Sequence, residues 1–168
     1  MKNIVLIGFM GSGKTTIGKL LADKLGVSLI DTDKLIEKKF GKQIKDIFKD
    51  EGEDAFRLVE SEVINEVSSV GNKVIACGGG VILNHKNVQA LKKNGLLIYL
   101  KASAPILFER IREEGSRPLL NVPNPKDKVS ELLKARESLY ENVADIVIDT
   151  SDMNVDKVVK EIQEKLNE

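Results

Sequence analysis

The stretch Gly8-Phe9-Met10-Gly11-Ser12-Gly13-Lys14-Thr15 has the spacing G-x-x-x-x-G-K-T. Glycines at these places let successive backbone N–H groups turn toward one centre, and the positive end of a following helix adds to them. Together they form a site for phosphate oxygens. Gly11, Ser12, Gly13, Lys14, Thr15 and Thr16 are therefore the candidate nucleotide-binding residues. Lys14 can reach the β- and γ-phosphates, and the Thr15 hydroxyl can ligate Mg²⁺. A glycine-rich turn that merely precedes a helix is the alternative, but here both flanks fit: an apolar strand before and an amphipathic helix after. The motif points to a nucleoside triphosphate such as ATP and leaves the phosphoryl acceptor unnamed.

Four further groups could complete the chemistry. Asp31 and Asp33, one residue apart, follow the second apolar run. That is the carboxyl end of a strand, where ligands of open α/β sheets bind. One carboxylate could hold a metal-bound water and the other face an acceptor hydroxyl. A helix cap by Thr32 or Asp33 accounts for the same residues. Arg57 and Glu60 lie three apart on one helix face and can pair, as many surface residues do. Gly78, Gly79 and Gly80 follow the third apolar run. They offer a backbone that a ligand can approach closely, or simply a turn. Arg117, beside Pro118, and Arg136, four residues before Tyr140, are the remaining cations of note, and either could be a surface arginine. His85 stands alone at a helix start and reads as structural. Cys77, at a strand end, reads as a small buried residue.

These residues must be positioned by short apolar runs alternating with helix-period segments. The runs are Ile4–Ile7, Ser28–Ile30, Lys73–Cys77, Leu96–Leu100 and Ile146–Ile148. Their continuous apolarity is that of strands buried on both faces. The helical segments are Lys14–Leu25, Asp54–Val67, Asn87–Lys93, Pro105–Glu113, Asp127–Glu141 and Val155–Leu166. Such alternation predicts an α/β fold, a three-layer sandwich with a parallel sheet between helices. The stretch Glu114–Lys128 carries Gly115, Pro118, Pro123 and Pro125. It reads as a lid, spanning about residues 112–126, or as an ordinary surface connection.

The length of 168 residues suits one domain, 1–168. Lys and Arg together number 26, as do Asp and Glu, so the formal net charge is zero. That balance argues against a non-specific nucleic-acid binder. The single cysteine excludes an internal disulfide and fits a reducing compartment. No apolar run approaches the roughly 20 residues of a membrane span, and none resembles a signal peptide. The expectation is a cytoplasmic protein with no nucleic-acid or membrane partner.

Taken in order, the motifs resemble the shikimate kinase family over nearly the whole chain. They are the phosphate loop, the D-x-D at Asp31 and Asp33, G-E-x-x-F-R-x-x-E at Gly52–Glu60, G-G-G at Gly78–Gly80, R-P-L-L at Arg117–Leu120 and R-x-x-x-Y at Arg136–Tyr140. The resemblance implies a P-loop NTPase of mononucleotide-kinase-like fold, with a five-stranded parallel sheet in the order 2-3-1-4-5. It implies transfer of the γ-phosphoryl group of ATP to the 3-hydroxyl of shikimate, in aromatic amino-acid biosynthesis, by a monomer. Asp33, Arg57, Arg136 and the turn of Gly78, Gly79 and Gly80 would bind shikimate. Asp33 would be the candidate base, and Glu60 would hold Arg57. Phe48 and Phe56 would pack on the apolar face of the ring. Asp31, through water, and Thr15 would serve Mg²⁺. Arg110 would lie near the adenine, and Arg117 would join Lys14 on the transferring phosphoryl. The loop Thr150–Asn154 departs from the family's commoner basic or Pro-containing pattern. A gluconate or nucleoside monophosphate kinase, or a nucleotide-binding regulatory module without activity, are the rival readings.

Overall fold

The computed structural model describes residues 1–114 and 121–168. Five strands, β1 (Asn3–Ile7), β2 (Ser28–Asp31), β3 (Lys73–Ala76), β4 (Gly95–Lys101) and β5 (Ile146–Asp149), form one parallel sheet in the order β2-β3-β1-β4-β5. Its registers bring Leu6 beside Ala76 on one side and Ile98 on the other. The carboxyl ends of β1, β2 and β3 therefore lie side by side, and the turns that leave them meet. This is the α/β architecture and strand order expected from the sequence.

The alternation of side chains along a strand divides the interior in two. Val5, Ile7, Ile75, Leu97 and Tyr99 face a core closed by α4 (Gly52–Ser68), α5 (His85–Lys93), α6 (Ala104–Glu114) and α7 (Pro125–Val143). Ile4, Leu6, Val74, Ile98 and Leu100 face a second core closed by α1 (Lys14–Leu25) and α8 (Val155–Leu166). Burial on both faces, expected of every strand, holds for β1 and most of β3 and β4. The edge strands differ: β2 is half-exposed, and Val147 in β5 is 43% exposed.

Two helices between β2 and α4 were not delimited by the sequence reading: α2 (Thr32–Phe40) and α3 (Ile44–Asp50). Each is short and anchors through a fully buried isoleucine, Ile36 and Ile47. So few turns give too brief a periodic pattern to stand out. At the ends of the 112–126 segment, α6 runs to Glu114 and α7 begins at Pro125. Proline fits that first helical position, where its missing N–H costs nothing. Residues 115–120 lie outside the described residues.

Candidate active site

The phosphate loop connects β1 to α1. Gly13 caps α1 with φ of 88°, a left-handed conformation that an L side chain resists, and as a glycine it makes no side-chain cap bond. No acidic residue occupies the first turn. The positive end of α1 therefore points its N–H groups into the cleft. Lys14 Nζ donates to the carbonyls of Gly8 (2.8 Å) and Phe9 (2.9 Å), which hold the ammonium over the loop. Ser12 is buried within the loop.

The second helix to start at this end of the sheet is built differently. Asp31 caps α2, its Oδ1 accepting from the Lys34 N–H at 3.2 Å, while its Oδ2 accepts from the Thr15 hydroxyl at 2.8 Å. The cap is thus Asp31, not Thr32 or Asp33. Thr32, fully buried, accepts from the Gly78 N–H at 3.1 Å. Asp33 is left in the first turn of α2 with its carboxylate against the glycine turn. A methyl group added at Gly78 would lie 2.6 Å from Asp33 Oδ1 and 3.4 Å from Glu60 Oε2.

Side-chain packing explains the glycine run. A methyl at Gly80 would lie 2.5 Å from Arg57 Nη2 and 2.6 Å from Nη1. The run thus makes room for the protein's own Asp33 and Arg57, which the sequence alone could not distinguish from a plain turn or from close approach of a ligand. Arg57 Nη1 donates to Glu60 Oε1 at 2.9 Å, and its guanidinium lies 5.2 Å from the centre of the Phe56 ring. Phe56 in turn stacks on Phe48 at 4.6 Å. Glu60 is 1% exposed while the Arg57 side chain keeps 26% of its surface and also reaches Glu53 at 3.4 Å, so the pair is half-buried and not a plain surface one. Burial pushes the Glu60 carboxyl above the usual carboxylate range; the nearby Arg57 and Arg136 oppose that push, and Asp33 adds to it. Among the described residues Glu60 Oε2 has no hydrogen-bond partner. Arg136, half-buried on α7, lies 6.0 Å from the centre of the Phe9 ring.

A cavity of about 730 Å³ joins the two regions; its walls include Lys14, Thr15, Asp31, Asp33, Phe48 and Gly79. That is within the size range of small-molecule sites. Arg110, on α6, donates to Thr150 Oγ1 (3.2 Å), to Thr150 O (3.1 Å) and to Gly11 O (3.5 Å). It ties the phosphate loop to the segment after β5. Gly11, Gly13 and Thr16 line the cavity. Arg117 lies outside the described residues. His85 is exposed on α5, away from these walls. Cys77 is buried and its thiol is pushed far up by desolvation, which keeps it inert. The sequence reading missed what Tyr140 does: its hydroxyl donates to the Gly79 carbonyl at 2.5 Å. Its spacing four residues beyond Arg136 was the available signal.

A phosphate loop entering α1 under a 2-3-1-4-5 parallel sheet, with a second ionic site across the same cleft, defines the P-loop kinases. The shikimate kinase family model matches residues 10–167, and this chain belongs to that family. A shikimate kinase of Thermodesulfovibrio yellowstonii is 48% identical over 162 residues, covering 96% of this chain and 93% of that protein. The structure of a shikimate kinase from Acinetobacter baumannii in complex with shikimate superposes with a TM-score of 0.94 at 40% identity, covering 99% of this chain and 93% of the other. A gluconokinase from Sinorhizobium meliloti, at 18% identity and a TM-score of 0.66, covers 99% of this chain and 91% of the other; it shares the fold alone.

Proposed function

We propose that this enzyme transfers the γ-phosphoryl group of ATP to the 3-hydroxyl of shikimate, giving shikimate 3-phosphate and ADP. The observation that carries the reading is the meeting, in one cleft, of the open end of α1 with Asp33 and Gly79, the glycine turn being packed from behind by Arg57. The first group suits a polyphosphate. The second suits a small acid bearing hydroxyls: a guanidinium fork pairs with both oxygens of a carboxylate, and a carboxylate accepts from a hydroxyl.

The roles follow. N–H groups of the loop and Lys14 hold the phosphates and balance the charge that develops on the transferring group. Arg57 and Arg136 take the shikimate carboxylate, with the Gly79 N–H beside them. Phe48 presents an apolar wall to the ring. Asp33 orients the hydroxyl and accepts its proton as the oxygen attacks phosphorus. Arg110 steadies the nucleotide side of the cleft, and Arg117 would add positive charge at the phosphates. Pinning both reactants in one cleft supplies much of the acceleration, since no covalent intermediate with the protein is needed.

The donors also fit Mg²⁺. Thr15 and Asp31 meet oxygen to oxygen at the loop, and no group of three or more His, Cys, Asp or Glu builds a metal cage among the described residues. Mg²⁺ is commonly held by one or two protein oxygens, waters and substrate phosphates. When bound, the ion would neutralise phosphate charge during transfer. Among the described residues no helix is long and apolar enough to cross a membrane. A monomer in the cytoplasm is the setting we propose.

The test is ADP release with ATP and Mg²⁺, measured without acceptor, with shikimate and with gluconate. A rate that rises only with shikimate supports the reading. Equal stimulation by gluconate, or none by shikimate, overturns it.

A further inference from the structure

Tyr140 joins parts of the cleft that come from distant places in the chain. It is fully buried near the carboxyl end of α7. Its ring stacks on Tyr99 of β4 with centroids 5.0 Å apart and planes 19° from parallel. The stack fixes the ring, and the hydroxyl then has one direction to point. It donates to the Gly79 carbonyl at 2.5 Å, across 61 positions of sequence. Arg136, one helical turn earlier, lies near enough for its positive charge to act on the same phenol. Gly79 also abuts the phosphate loop: a methyl there would lie 3.5 Å from Gly8 O and 3.5 Å from Met10 N. One hydroxyl therefore bonds the backbone of the glycine turn, beside the charge of Arg136 and directly behind the phosphate loop.

We propose that Tyr140 is a positioning residue, whose hydroxyl sets Gly79 and Arg136 in the arrangement that receives the acceptor's carboxylate. The assignment rests on the acceptor site proposed above. Phenylalanine at this place keeps the ring and the stack but loses the bond to Gly79 and the polar oxygen beside Arg136. Burial drives the phenol upward to about 12, so at neutral pH it remains a donor to Gly79.

The experiment compares Y140F, Y99F, R136A and the Y140F/R136A double variant in the ADP-release assay, with Tm by circular dichroism. R136A tests the acceptor site itself. If it leaves the shikimate KM unchanged, the site reading fails and Tyr140 falls with it. If R136A raises that KM, Y140F is expected to raise it by about five- to tenfold, leaving the ATP KM within about twofold. Y99F, which removes the neighbouring hydroxyl from the same stack, is expected to change neither. The double variant should be little worse than R136A alone, because both changes act through one group. The proposal is overturned if Y140F shifts both KM values equally, if Y99F matches it, or if the two effects multiply independently. It is also overturned if Y140F does not fold, since the hydroxyl would then serve the fold and not the site.

Discussion

The two sides of the cleft are built on opposite principles. On the nucleotide side, one uninterrupted loop supplies backbone N–H groups, a lysine and two threonines, and the loop is closed by its own carbonyls. On the side we propose for the acceptor, Asp33, Arg57, Glu60, Gly78–Gly80, Arg136 and Tyr140 arrive from α2, α4, the turn after β3, and α7. They are held by contacts with one another: carboxylate against Gly78, guanidinium against Gly80, phenol to Gly79. A phosphate is the same in every nucleotide, so a backbone cradle suffices. A particular small acid must be distinguished from others, and that takes fixed side chains with their own supports.

The largest effect should come from breaking the nucleotide side. Lys14→Met removes the ammonium that the Gly8 and Phe9 carbonyls hold over the loop while leaving its backbone intact. We expect kcat to fall by about 10³-fold, with the fold retained. A coupled ADP assay and circular dichroism check this, and wild-type turnover in a folded variant would refute the loop's role.

Asp33→Asn comes next and tests the acceptor side at the reacting hydroxyl. Because Asp31 caps α2, an amide at 33 leaves the cap in place. We expect Tm to hold and kcat to fall by about 10²-fold, the size of a lost general base. Unchanged kcat would reduce Asp33 to a bystander.

The glycine turn offers a sharper cut, because its two ends press on different partners. Gly80 has φ of −91°, which alanine adopts without strain, so Gly80→Ala acts only through its clash with Arg57. The expected result is a rise of about tenfold to hundredfold in the shikimate dissociation constant, with ATP binding unaffected. Gly78→Ala presses instead on Asp33 and should lower kcat more than affinity. Calorimetric titration beside kcat distinguishes the two. Identical phenotypes would mean that the turn acts as one rigid piece. Arg57→Ala is a blunter probe, since it strands the buried Glu60 and mixes instability with lost binding.

The same contrast decides what could be read from the sequence. The phosphate loop was legible whole, because its residues are contiguous and its flanks are strand and helix. The sheet was legible from its apolar runs, and its strand order came from family resemblance. For the proposed acceptor side, the residues could be named and the Arg57–Glu60 pair anticipated, but not the long-range relations. Asp33 as cap or chemistry, Arg57 and Glu60 as surface or buried pair, and glycines as turn or clearance all depend on which side chains meet. Such meetings span long stretches of sequence, as Gly78 with Asp33 and Tyr140 with Gly79 show. Local spacing carries no record of them. The short α2 and α3 were blurred for the separate reason that each carries few turns.

Glu60 gives the smallest effect and the most direct test of how the acceptor side is held. Its carboxyl is buried, with Oε2 unpartnered among the described residues, and the Arg57 pair does not fully offset the loss of water. The folded protein therefore keeps a proton on Glu60 to higher pH than the unfolded chain does. For an acid raised in this way the contribution to stability is complete below the ordinary value of 4.5. It is lost as pH rises through the folded value, because the folded state binds the extra proton in that window. Glu60→Gln has no proton to lose at this site. The difference in Tm between E60Q and the wild type should therefore move in favour of E60Q as pH rises from 4.5 upward. Its span should be about 2–4 °C for each kcal/mol involved in a chain of this size. At the same time Arg57 loses a charge-assisted partner, so shikimate binding in E60Q should weaken by a few fold while ATP binding holds. Thermal melts of both proteins across that pH range, beside shikimate titrations, give the answer. If the Tm difference moves the other way, the pair with Arg57 outweighs burial, and Glu60 is an ordinary stabilising carboxylate. If shikimate binding is untouched, Arg57 is held in place by its packing against Phe56 and Gly80, and Glu60 contributes only to the fold.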